Sequence, residues 1–258
     1  MTEHLVMTLD RGAVRVVTLN RPAARNALSR DLIRATYAAL TAADVDESVR
    51  AVVLTGTDPA FCAGVDLKEA ARDGLSYFEE FRTQSCITAV AKMRTPVVGA
   101  INGATFTGGL EMALGCDFLI ASERAVFADT HARVGILPGG GMTARLPQLV
   151  GAAMARRLSM TGEVVDAARA ERIGLVTEVV PHQPLLERAV ELASQIAEVA
   201  RPTMRGLKEI YTTGASAVTG PALAAEEKIA FAQHRNFDTL DVTFDAVSQR
   251  NREQIRPD

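Results

Sequence analysis

The sequence predicts an α/β protein with a largely parallel, covered sheet and a helical C-terminal region. Three observations carry this. The runs "VRAVVLTG" (49–56), "TPVVGAING" (95–103) and "CDFLIAS" (116–122) are short, continuous and apolar, as strands buried on both faces are. Helical patterns fall between them, so strand and helix alternate. From Gln183 onward the pattern is almost all helix. We therefore divide the chain into an α/β core, 1–200, and a C-terminal helical region, 201–258.

The elements follow in order. Leu5 to Leu9 and Val14 to Leu19 flank a turn at Gly12 and read as a hairpin. In the next segment Ser29 is placed as an N-cap, and Leu32, Ile33, Thr36, Tyr37 and Leu40 recur at helical spacing. The strand at 49–56 ends on Gly56, and the one at 95–103 ends on Asn102-Gly103. Helical patterns cover Tyr77 to Met93 and Leu110 to Leu114. After Gly139-Gly140-Gly141 come two helical stretches broken at Pro147 and Gly151, a short helix stopped by Gly174, and a last strand, "LVTEVVP". The remaining pattern predicts helices at about 183–199, 202–213 and 218–234, then a charged tail.

Composition narrows the function. With 258 residues, 48% hydrophobic, the chain is long enough for a substantial core. A formal net charge of −3 and no Trp argue against a nucleic-acid surface. No apolar run reaches the ~20 residues that span a bilayer. The first residues lack a secretory pattern, and three widely spaced cysteines (Cys62, Cys86, Cys116) suit a reducing compartment, so the expected location is cytoplasmic. The four histidines are scattered, with no H-E-x-x-H and no paired Cys, so no metal site is expected. "PGGG" lacks the P-loop and dinucleotide spacings, and no G-x-S-x-G is present. No cofactor is expected.

Two glycine turns stand out beside apolar strands. In "AFCAGVDLKEA" (60–70), Ala63 and Gly64 let main chain approach a ligand closely, and Asp66 looks like a helix start. In "INGATFTGGLEMALGCD" (101–117), Gly108-Gly109 leads into a short helix whose first N–H groups favour anions. Two N–H donors from two such turns can converge on one oxygen, the geometry of an oxyanion hole. The same spacing also suits two plain connectors. Glu111, in the first turn of that helix, reads either as a capping carboxylate with Gly108 as N-cap or as a general acid or base.

"RPAARNAL" (21–28), "AFCAGVDLKE", "INGATFTGGLEMALGCDFLIASERAVFA" and "VGILPGGGMTARL" together resemble the enoyl-CoA hydratase/isomerase (crotonase) superfamily, with consistent spacing from about residue 5 to 215. The resemblance implies a ββα spiral core, a C-terminal region used for trimerisation, trimers that often pair into hexamers, and acyl-CoA thioesters as substrates. It implies that the N–H groups of Ala63 and Gly108 hold the thioester oxygen and that Glu111 is catalytic. It also implies a substrate surface made of Arg25, Ala63, Gly64, Val65, Asp66, Leu67, Gly108 and Gly109, with Arg25 as phosphate or adenine contact and Lys68 as a second basic candidate. Leu75, Tyr77, Phe78 and Phe81 lie where the family shapes its acyl pocket. The C-terminal "FDTLDVTFDAVSQRNREQIRPD" departs from the family's usual ending.

A second departure concerns chemistry. Hydratases of this family hold water between two glutamates. Glu111 matches the first. His131 stands at the second, and no Glu lies between Glu123 and Glu163. Three readings follow. His131 takes over proton transfer, which an imidazole titrating near neutrality can do. Asp129 substitutes, if the turn aims it inward. Or hydration is lost, leaving isomerisation, decarboxylation or mere acyl-CoA binding. The expected activity is that of a lyase, most simply an enoyl-CoA hydratase.

Overall fold

The computed structural model describes residues 4–234, 247, 249 and 250. The expected departures of the C-terminal tail fall mostly outside these residues. Among the described residues, ten strands build two sheets. The first has the order β1 (Val6–Arg11), β2 (Val14–Leu19), β3 (Ala51–Gly56), β5 (Val97–Ile101), β7 (Phe118–Ser122) and β10 (Glu178–Val180). Only the β1–β2 hairpin is antiparallel in it. The second sheet has the order β4 (Ala60–Cys62), β6 (Ala104–Phe106), β8 (Val126–Ala128) and β9 (Val165–Asp166), parallel except for β8–β9.

The two sheets grow together. Each of three successive turns gives one strand to the first sheet, one to the second and then helix: β3–β4, β5–β6 and β7–β8. After β4 come α2 (Leu67–Asp73), α3 (Leu75–Thr83) and α4 (Cys86–Lys92); after β6, α5 (Gly108–Ala113); after β8, α6 (His131–Val134), α7 (Met142–Val150) and α8 (Ala152–Thr161). This is the ββα spiral that the resemblance implied. The first sheet's strands are buried on both faces, which is why they read as unbroken apolar runs. In β3, Val52 and Leu54 face the main core, while Ala51 and Val53 face α10 (Leu185–Glu198).

α1 (Arg30–Val45) starts as the sequence indicated: Ser29 Oγ accepts the Leu32 N–H at 3.3 Å. The helix expected from 77 to 93 is two, because the Ser85 hydroxyl caps α4 through the Thr88 N–H. The two C-terminal helices expected at 202–213 and 218–234 are instead one, α11 (Arg201–His234), with Pro221 inside it. Proline removes one ladder hydrogen bond there without ending the helix. Between α8 and α10 lies α9 (Ala167–Arg172). No helix among the described residues is long and apolar enough to cross a membrane. Cys62, Cys86 and Cys116 are free thiols.

Candidate active site

The two glycine turns interlock at backbone distance. Gly64 has φ +93, and a Cβ there would lie 1.9 Å from Thr107 Oγ1. A Cβ at Gly109 would lie 2.2 Å from the Cys62 carbonyl oxygen. Both positions therefore demand glycine, and both hold the turn after β4 against the start of α5. Thr107 between them has φ 47 and ψ −117, a mirror-image turn geometry that glycine usually occupies. Holding a β-branched residue there costs about 1–3 kcal/mol.

This packing changes the expected pair of N–H donors. The Ala63 N–H is spent on the Arg25 carbonyl at 3.0 Å, so it does not serve as a free donor. Leu28 bonds instead to the neighbours of Val65: its N–H donates to the Gly64 oxygen, and its own oxygen accepts from the Asp66 N–H. Val65 thus turns its N–H away from Leu28, and that N–H has no backbone acceptor among the described residues. The positive φ at Gly64 is what separates the directions of 63 and 65. Gly108 is the first residue of α5, where the N–H has no intrahelical partner. A Cβ on Gly108 would sit 3.9 Å from Val65 Cγ2, so the two residues adjoin.

Glu111 is buried, only 3% exposed. It does not cap its own helix. Thr107, not Gly108, is the N-cap residue, and the Glu111 carboxylate reaches across to the glycine loop. There Oε1 accepts the Gly140 N–H at 2.7 Å and the Met142 N–H at 3.3 Å. Burial pushes its pKa up to about 7. His131 and the Gly140 N–H oppose that rise, while Glu226 and Asp129 add to it.

His131 opens α6, just after β8. The chain turns at Thr130, and this brings Asp129 to the same side as His131. Asp129 Oδ1 accepts both the His131 backbone N–H (3.2 Å) and its ring Nδ1 (2.7 Å). The other ring nitrogen, Nε2, lies 3.7 Å from Glu111 Oε2. Burial alone would lower the imidazole's pKa, but the Asp129 hydrogen bond and the Glu111 and Asp129 charges outweigh it and raise the pKa. Asp129 is held below the usual carboxylate range: burial would raise it, but bonds from His131 and Ser159 dominate. A proton on Nδ1 suits Asp129 and leaves Nε2 to exchange a proton on the Glu111 side. The 3.7 Å gap is too long for a direct bond, yet one water beside it reaches both atoms.

These groups line a cavity of about 1070 Å³. Arg25, Ala63, Val65, Asp66, Leu67 and Lys68 line it, as do Glu111 and His131. Gly64, Gly108 and Gly109 do not: Gly64 and Gly109 pack behind the wall, and Gly108 adds only backbone between the lining residues Thr107 and Glu111. Asp66 is already engaged. It caps α2 through the Lys68 and Glu69 N–H groups and pairs with Arg21 at 2.6 Å. Phe78 and Phe81 line the apolar end, joined by Leu223 and Phe231 of α11. Leu75 and Tyr77 do not line it; Tyr77 is core, its hydroxyl donating to the Leu28 carbonyl.

Sequence reasoning missed Val65 as a donor, Arg21, and Glu226. The first needs the direction of one N–H. Arg21 was legible only as part of "RPAARNAL", and Glu226 lies 85 residues from the loop it binds.

The sequence profile of the family described as enoyl-CoA hydratase/isomerase matches residues 10–243. A probable enoyl-CoA hydratase of Rhizobium meliloti is 38% identical over 231 residues, 89% of each chain. Among solved structures, an enoyl-CoA hydratase from Mycobacterium avium superposes with a TM-score of 0.80 at 46% identity, covering 90% of this chain and 97% of that one. One from Mycobacterium tuberculosis H37Rv gives 0.80 and 46%, covering 90% and 99%.

Proposed function

The chain belongs to the enoyl-CoA hydratase/isomerase family, and from that premise we propose that it adds water to 2-enoyl-CoA thioesters, with His131 in place of a second carboxylate. One observation carries the reading: a buried Glu111 whose pKa is near 7 faces, at 3.7 Å, a histidine held by Asp129.

The thioester oxygen sits on the N–H groups of Val65 and Gly108. Glu111 takes a proton from water, and the new C–O bond forms at the β-carbon. The π electrons move to the thioester oxygen, giving an enolate that the two donors stabilise. Loss of one such donor elsewhere costs about 3–4 kcal/mol. His131, protonated, then delivers its proton to the α-carbon. The proton on Glu111 then passes to His131 by way of a water that reaches both groups, which restores the starting state. No cofactor enters these steps.

Arg25 and Lys68, at the cavity wall, are the residues we assign to the phosphates of coenzyme A. The exposed apolar residues Leu207, Ile210, Tyr211 and Val218 of α11 support assembly into trimers or paired trimers. Free cysteines support a reducing, cytoplasmic location.

Purified protein mixed with crotonyl-CoA should lose the absorbance of the conjugated thioester as water adds. A second reading, a one-base isomerisation or decarboxylation, draws on the missing glutamate. It predicts solvent deuterium entering the α- or γ-carbon of a bound acyl-CoA with no hydration. Tight thioester binding without turnover across an acyl-CoA panel would leave a binding protein.

A further inference from the structure

Four successive N–H groups at the start of α7 are shared between two carboxylates. Gly140 and Met142 donate to Glu111. Gly141 and Thr143 donate to Glu226, which projects from α11 and is only 7% exposed. The Thr143 hydroxyl donates to Glu226 as well. The donors alternate along the chain, so the backbone cannot rotate toward one acceptor without losing the other. Glu226 itself does not line the cavity. A second tie from α11 holds the preceding segment: Gln233 accepts the Leu137 N–H and donates to the Gly135 carbonyl.

We infer that Glu226 is a positioning residue for Glu111: by holding the Gly141 and Thr143 N–H groups, it presents those of Gly140 and Met142 to the reacting carboxylate, so that docking of α11 is a condition of turnover. This rests on the role proposed for Glu111. It extends that role to a helix more than 80 residues away in sequence, through the glycine loop that both carboxylates bind. The electrostatics agree with the geometry. Besides Glu226, the charged groups around Glu111 are His131 on α6, Asp129 before it and Arg145 on α7, while α4 presents the apolar Ile87. Within that set, the Glu226 charge works to raise the Glu111 pKa.

The test is Glu226→Gln, with Glu226→Asp beside it. The glutamine oxygen still accepts one N–H, but its amide meets a second donor at Thr143 and carries no charge. The aspartate keeps the charge and loses the reach. Both should lower kcat by roughly 10- to 100-fold with KM for crotonyl-CoA nearly unchanged, as misplacement of a reacting group does. Only Glu226→Gln should also shift the Glu111 midpoint to lower pH, read as the acid limb of kcat and, independently of turnover, from the ¹³C signal of the Glu111 carboxyl identified with Glu111→Gln. Unchanged kcat and an unmoved midpoint overturn the inference. So does a lower kcat that only follows a lower melting temperature while the Glu111 midpoint stays put, the signature of a plain helix cap. If the native protein fails to hydrate crotonyl-CoA but the midpoint still drops in Glu226→Gln, the hydration reading falls and the positioning stands.

Discussion

The described residues contain two aspartate–histidine pairs, and they differ in what the second ring nitrogen meets. In the cavity, Asp129 takes Nδ1 of His131, and Nε2 faces Glu111. At the ends of β7 and β10, Asp58 takes Nε2 of His182 at 2.9 Å, and Nδ1 meets the Ser122 hydroxyl at 2.9 Å. Asn102 steadies Asp58 as Asp129's neighbours steady it. Taken by residue type, the second site is a serine–histidine–aspartate set of the kind that makes nucleophiles. Its serine, however, is fully buried, its oxygen also accepts the Arg124 N–H, and none of the three lines the cavity. Asp58 is mostly exposed. That set pins a sheet edge. Reactivity therefore depends less on which three residues meet than on whether the last of them opens onto substrate at a matched pKa.

The contrast can be broken from the cavity side first. Glu111→Gln should cut turnover by roughly 10³-fold, and steady-state rates on an enoyl-CoA would show it. Survival of more than a tenth of the rate would remove Glu111 from the chemistry. Next, Asp129→Asn should lower kcat about 10- to 100-fold. Asp129 helps hold the His131 pKa up, and in the proposed mechanism His131 acts while protonated, so the alkaline limb of the rate profile should move to lower pH. A limb that stays in place would show that Asp129 does not tune the imidazole.

The third effect is on stability and runs the other way. Folding raises the Glu111 pKa from 4.5 to about 7. Its contribution is thus fully present below the unfolded value and is lost as pH rises through the folded one. At pH 8 the buried charge is a net cost of about 3 kcal/mol. Glu111→Gln should accordingly raise the melting temperature at pH 8, with the gain fading by pH 4. A loss of stability at pH 8 would contradict the assignment of burial as the cause. The smallest change belongs to the other pair. Ser122→Ala should leave kcat untouched and cost about 1–2 kcal/mol in denaturant unfolding, the loss of two hydrogen bonds.

Much of this architecture was legible in the sequence because long, buried elements leave long patterns. β3, β5 and β7 announce themselves as apolar runs, and α1 by its Ser29 cap and the spacing of Leu32, Thr36 and Leu40. The second sheet was not legible. β4, β6 and β8 are three residues each and sit where glycine turns dominate the pattern. At the site, Glu111 and His131 were found by resemblance and brought together by the fold. That the Ala63 N–H is engaged by the Arg25 carbonyl was not legible, because residue spacing says nothing of which way an N–H points once Gly64 has turned the chain. Glu226 left no signal, since a glutamate in a long amphipathic helix looks like a solvated face until its partners are known.

The three glycines at 139–141 differ in how freely they can change. A side chain at Gly140 would drive into Ile87 and the Glu111 carboxylate, and one at Gly141 into the Arg145 guanidinium on a backbone with φ +110. At Gly139 a Cβ would stand 3.6 Å from Ala230 and 3.9 Å from His234, in ordinary contact, at the cavity wall. Substitution has one open door in this loop, and it leads to the cavity. Position 139 can therefore carry a side chain that reshapes the cavity wall, while 140 is closed by Ile87 and Glu111 and 141 by Arg145 and its own backbone.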